Sequence, residues 1–169
     1  HDLIGVFPGK RPRFAKDFVG GTRTVEQAIH AYVEMRRPGA SPYWRDVGTV
    51  DSYWEANLDL TRVVPQLDLY DERWPILSLQ RQLPPAKFVF DDDGRRGMAV
   101  DALVSSGCIV SGGTVRRSIL FSKVRVGDHS LVEDSVVLPN VSIGRDTVIR
   151  RAVVDKRCVI PDGMQIGVD

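Results

Sequence analysis

Few side chains in this 169-residue chain could do chemistry, and each has a plainer structural role to compete with. His129 stands in the turn Gly127-Asp128-His129-Ser130, inside a C-terminal run of aliphatic residues. It is the one candidate there for the base that an acyl-transfer enzyme needs, and the bland alternative is an exposed turn residue. Asp91, Asp92, Asp93 and Gly94 could open a calcium loop, but the glutamate that closes such a loop is missing, so a solvated acidic turn is expected. Cys108 and Cys158 lie among aliphatic residues, where reduced thiols behave as small buried hydrophobes rather than as disulfide or metal ligands. Asp46, within Pro42-Tyr43-Trp44-Arg45-Asp46-Val47-Gly48-Thr49, occupies a turn before Gly48, an ordinary place for an aspartate.

The elements that must carry these groups fall into two styles. Apolar positions Val25, Ala28, Ile29, Tyr32 and Val33 mark one face of a helix from Thr24 to about Arg36, with Thr24 as its cap. A second amphipathic helix is expected over Val50 to Val64, with Tyr53, Trp54, Asn57, Leu58 and Leu60 in its middle and Pro65 as its stop. Trp74-Pro75-Ile76 through Leu83-Pro84-Pro85-Ala86-Lys87-Phe88-Val89 is extended, because consecutive prolines exclude helix.

From Val110 the pattern changes to a repeat. Val126, Val132, Val137, Ile143, Ile149, Val154, Ile160 and Ile166 recur at steps of six or five, and Leu131, Val136, Val141, Val148, Val153 and Val159 form a second ladder between them. A six-residue step gives one short strand and one tight turn per face, so three steps close a triangular coil filled with aliphatic side chains. Ser130, Ser135, Thr147, Ala152 and Cys158 supply small residues near the corners. The length of the repeat predicts about three coils, with one end covered by a preceding domain or another subunit. Hexapeptide acyltransferases share such a repeat, and a non-catalytic assembly or regulatory module is a further alternative.

Composition narrows the function classes. Basic and acidic residues are interleaved and the net charge is +1, so no positive field is available to hold nucleic acid. No apolar run approaches the roughly 20 residues of a membrane-spanning helix, and no secretory signal is visible. A cytosolic chain is expected, and a start at His1 rather than methionine reads as a piece of a longer protein.

Several blocks in fixed order carry a family resemblance. Pro42 to Thr49 is followed by Ser52-Tyr53-Trp54-Glu55-Ala56-Asn57-Leu58-Asp59-Leu60, Trp74-Pro75-Ile76, Leu83-Pro84-Pro85-Ala86-Lys87-Phe88, Ser106-Gly107-Cys108-Ile109-Val110-Ser111-Gly112, Leu120 to Val126 and Val159-Ile160-Pro161. In this order they resemble the bacterial glucose-1-phosphate adenylyltransferases. The resemblance implies an α/β nucleotidyltransferase remnant followed by a left-handed parallel β-helix of the hexapeptide type. The implied divisions are the end of the catalytic domain (1–64), a proline-rich connector (65–100) and the β-helix (101–169).

The resemblance also implies chemistry: ATP and glucose 1-phosphate give ADP-glucose and pyrophosphate for glycogen synthesis, with Mg2+ as cofactor, in a homotetramer regulated by phosphorylated metabolites. Asp46 matches a catalytic magnesium ligand, which fits the preference of magnesium for hard oxygen. Trp44 matches a residue near the glucose, and His1-Asp2 match the start of a segment whose aspartate lies by the sugar. Lys156 matches a basic position of an inhibitor site, and Arg81 is a second effector candidate. Two departures stand beside these matches. Leu3 to Ala40 does not follow the family, and the Gly-rich triphosphate loop, the first magnesium aspartate and the lysine for the sugar phosphate are not among these residues. The piece by itself is therefore expected to be inactive.

Overall fold

The computed structural model describes residues 43–72, 75–76 and 81–168. The helix expected over Thr24 to Arg36 lies outside them. Packing groups residues 46–65 with 81–169 in one compact unit and assigns Tyr43–Arg45 and the stretch after Pro65 to another. In the latter, Asp68 turns the chain by accepting the Tyr70 amide at 2.9 Å.

The larger unit is a solenoid of about four turns. Its parallel strands stack into three sheets, ordered β1-β6-β9-β12-β15, β16-β13-β10-β7-β4 and β14-β11-β8-β5. The first consists of β1 (Lys87–Val89), β6 (Ile109–Ser111), β9 (Arg125–Val126), β12 (Ser142–Ile143) and β15 (Val159–Ile160). The second holds β4 (Met98–Val100), β7 (Thr114–Arg116), β10 (Leu131–Glu133), β13 (Val148–Arg150) and β16 (Gln165–Ile166), and the third β5 (Leu103–Val104), β8 (Ile119–Leu120), β11 (Val136–Val137) and β14 (Val153–Val154). The coil begins at Lys87, inside the proline-rich stretch, which accounts for one turn more than the repeat predicts.

Register fills the interior. Val110, Val126, Ile143 and Ile160 stand in one column, Val115, Val132, Ile149 and Ile166 in the second, and Leu120, Val137 and Val154 in the third. These residues form a single core, with Ile166 half-buried at its end. The second ladder behaves otherwise, because neighbours along a strand point to opposite faces. Val159 is 79% exposed beside inward Ile160, whereas Val141 joins the interior column of Cys108, Val124 and Cys158. Val136 and Ile119 are buried yet lie outside that core. Helix α1 (Val50–Asp59) packs against β11, the strand that carries Val136.

Helix α1 is shorter than the sequence predicts, ending at Asp59 rather than near Val64. Leu60 and Thr61 donate to carbonyls three residues back, at 3.1 and 3.0 Å, so the turn tightens well before Pro65. Its start is a capping box: the Ser52 amide donates to Thr49 Oγ1 and the Thr49 amide to Ser52 Oγ, both at 3.1 Å.

Corners are made by left-handed residues that repeat from coil to coil. Asp101, Arg117, Asp134 and Arg151 form one column with φ between 42 and 48°, and Lys123, Asn140 and Arg157 a second with φ of 62 to 64°. Non-glycine residues in this conformation cost roughly 1–2 kcal/mol each. The offset is visible, since the amides of Arg117, Asp134 and Arg151 each donate to the preceding coil at 3.1 Å. Gly144 answers a different need: a Cβ there would lie 2.6 Å from the Asp162 backbone nitrogen.

Buried hydroxyls tie the coils along the corners. Ser118 Oγ accepts the Ser135 amide at 3.0 Å, Ser135 Oγ accepts the Ala152 amide at 3.2 Å, and Ser130 Oγ accepts the Thr147 amide at 3.0 Å. Ser135→Ala leaves the Ala152 N–H without its acceptor, so the urea midpoint should fall by an amount worth about 1–3 kcal/mol with an unchanged slope.

Candidate functional site

Asp46 opens the segment that leads into α1. Its Oδ1 accepts the Gly48 amide at 3.0 Å, and a Cβ at residue 48 would crowd that oxygen at 3.3 Å, so glycine lets the carboxylate fold over the turn. Oδ2 is left exposed beside a helix N-terminus, where the macrodipole favours negative charge. A fixed, exposed carboxylate oxygen fits a magnesium ligand, but it is one ligand only: the described residues hold no group of three or more His, Cys, Asp or Glu able to bind a metal.

Toward the middle of α1, Trp54 reaches the solenoid. Its indole N–H donates to the Asp134 carbonyl at 2.7 Å. Asp134 is held in turn by Arg117, which donates from Nε at 2.7 Å and from Nη2 at 3.1 Å, while Nη2 also reaches Glu133 at 2.8 Å. Arg150 pairs with the other Glu133 oxygen at 3.3 Å. Hydrogen bonds to Asp134 first, then Glu133, push the Arg117 pKa still higher. The sequence reading passed over this cluster. Its visible signal was opposite charge at equivalent corner positions, Arg117 and Asp134, one coil apart.

Trp44 is 37% exposed and belongs to the other packing unit, and Asp2 lies outside the described residues. Lys156 and Arg81 are both exposed. Pro84 bonds to Gly107, and the corner that starts there runs through Lys123 and Asn140 to Arg157. Four strand spacings therefore separate the Pro84 and Lys156 levels, about 19 Å along the coil.

The acidic run folds as a hairpin of β2 (Asp91–Asp92) and β3 (Arg95–Arg96), with Gly94 left-handed in the turn. Asp91 pairs with Arg96. Arg95 stacks 3.5 Å from the Phe90 ring centroid and donates to Asp128 at 2.9 Å, docking the hairpin on the coil. Burial disfavours the charged Asp128, but hydrogen bonds from Ser111 and Arg95 and the charge of Arg145 outweigh it and hold its pKa below the ordinary value. Its stabilising contribution is therefore present above the ordinary carboxylate pKa and is lost as pH falls through the lowered one.

Beside the hairpin an open groove of about 510 Å3 is lined by Arg96, Met98, Thr114, Arg116, His129 and Leu131. His129 is half-exposed, and its Nδ1 lies 3.8 Å from Asp146 Oδ1, too far for the hydrogen bond that would orient a catalytic base. Both cysteines are free. Cys108 is buried and donates to the Phe121 carbonyl at 3.0 Å, and burial pushes its thiol pKa up.

Three sheets of parallel strands and left-handed corners at a hexapeptide step define the class. Residues 84–169 match the family described as GlmU-like, C-terminal hexapeptide, and the chain belongs to that family. Among curated proteins it is 65% identical over 128 residues to a glucose-1-phosphate adenylyltransferase of Nitrosospira multiformis, covering 76% of this chain and 30% of that protein. It is 64% identical over 126 residues to the Nitrosomonas europaea protein of the same name, covering 75% and 29%. Against that of Shewanella baltica it is 62% identical over 154 residues, covering 91% and 37%. The chain thus spans about a third of the length of these relatives. Among the described residues, no helix is long and apolar enough to cross a membrane.

Proposed function

We propose that this chain is part of a glucose-1-phosphate adenylyltransferase, the enzyme that makes ADP-glucose and pyrophosphate from ATP and glucose 1-phosphate. The observation that carries the reading is identity of 61–65% to relatives of that name over three quarters or more of the chain. In the reaction a phosphate oxygen of glucose 1-phosphate attacks the α-phosphorus of ATP. The new P–O bond forms as the bond to the departing pyrophosphate breaks. Catalysis of this kind rests on positioning and electrostatics. When bound, magnesium neutralises charge on the phosphates of both substrates. Asp46 would hold it through a carboxylate oxygen, with Gly48 and the α1 cap fixing that oxygen's place.

Trp44 offers an aromatic face to the sugar, and Asp2 is a second candidate for contact with it. The solenoid, whose left-handed sense we infer from the family, supports assembly into a homotetramer in the cytoplasm. Lys156 and Arg81 meet the anionic groups of phosphorylated effectors. Acyl transfer is not favoured, because Asp146, the acidic group beside His129, lies 3.8 Å from its Nδ1, beyond hydrogen-bond distance.

The test is a product assay on protein from the whole reading frame. Given magnesium, ATP and glucose 1-phosphate, it should release ADP-glucose and pyrophosphate; given an acyl-thioester and sugar acceptors, it should release no thiol. Thiol release without ADP-glucose would overturn the proposal.

A further inference from the structure

We infer that Trp54 is a positioning residue through which the solenoid sets the place of the Asp46 carboxylate, an inference that rests on the proposed metal role of Asp46. The connection is continuous and lies within one compact unit. Asp46 Oδ1 is bound to the Gly48 amide, and Gly48 adjoins Thr49, the cap of α1. The capping box locks that first turn, so the carboxylate moves with the helix axis. Five residues beyond the cap, the Trp54 indole pins the helix to the Asp134 carbonyl across 80 residues of sequence.

That carbonyl is a stiff anchor. Asp134 occupies a left-handed corner, its amide bonds to Arg116 in the coil before, and its carboxylate is gripped twice by Arg117. Glu133, linked to both Arg117 and Arg150, extends the hold to a corner residue of the coil before and a strand residue of the coil after. The helix also packs against β11, but apolar contact permits sliding along the strand rows, whereas a directed N–H bond holds one point of the helix in place. A shift of the coil corner is therefore passed to Asp46, and loss of the bond frees the carboxylate to wander.

The experiment uses protein from the whole reading frame and Mn2+ as a paramagnetic substitute for magnesium, titrated with ATP present and followed by electron paramagnetic resonance. Trp54→Phe keeps an aromatic body on α1 but removes the N–H. It should weaken Mn2+ binding about tenfold, the scale seen when groups that orient metal ligands are removed. Arg117→Met, at an exposed side chain, should weaken it in the same direction and decides the matter if Trp54→Phe fails to fold. Asp46→Asn serves as reference and should abolish the tight site. Parent-like Mn2+ affinity in the folded Trp54 and Arg117 variants, with binding lost in Asp46→Asn, overturns the inference and leaves the metal role intact. Parent-like affinity in Asp46→Asn overturns the metal role and the inference together.

Discussion

Asp46→Asn, made in the full-length protein, should lower the rate of ADP-glucose formation by about 10^2 to 10^3-fold, because a carboxylate that holds a catalytic cation contributes several kcal/mol at the transition state. The substitution separates charge from structure. Asparagine retains an oxygen at the δ position, so the Gly48 amide keeps its acceptor and the turn before α1 keeps its shape. Asp46 is also exposed, so no buried partner is stranded. The melting temperature should accordingly match the parent while activity collapses. Steady-state rates at several magnesium concentrations, with a thermal melt alongside, check both halves. An active Asp46→Asn would remove Asp46 from the metal site.

Leu120→Ala should produce the largest loss of stability. Leu120 is fully buried at the centre of the third interior column, between Val104 and Val137 in the coils on either side. Removing its branched end leaves a void in a stack that cannot collapse sideways, since both neighbouring coils are held by backbone bonds, Ser105 donating to Leu120 at 2.9 Å and Phe121 to Val137 at 2.9 Å. Cavities of this kind cost about 2–5 kcal/mol. The melting temperature should fall by more than about 10 °C, and denaturant titration should show a lower midpoint. A solenoid couples each coil mainly to its neighbours, so the effect should spread along the stack from this central coil. A change below about 1 kcal/mol would mean that the columns are not close-packed.

The solenoid was legible because its signal is periodic. Val126 to Ile160 recur at the step that returns a side chain to the same interior column, and no surface pressure competes with that demand. The second ladder was harder to place because aliphatic identity does not say which way a residue points. Val136 is buried on the strand against which α1 packs, Val141 turns inward at a corner, and Val159 faces water. The first coil was hidden by the β2–β3 hairpin, which stretches the step from Lys87 to its partner Ile109 beyond the regular spacing.

Local chemistry was legible at Asp46 and Gly48, where the turn is written in adjacent residues. The Trp54 contact was not, because an indole bonded to a backbone carbonyl leaves no pattern in either partner's residue type. Arg117, Glu133, Asp134 and Arg150 read as scattered surface charge until the coil period lines them up.

One comparison tests the central claim most directly: ADP-glucose formation by the 169-residue polypeptide and by the protein from its whole reading frame, each supplied with magnesium, ATP and glucose 1-phosphate. The expectation is product from the whole protein and none from the 169-residue chain, which spans about a third of the length of the relatives it matches. ADP-glucose made by the piece alone, or none made by the folded whole protein, would contradict it.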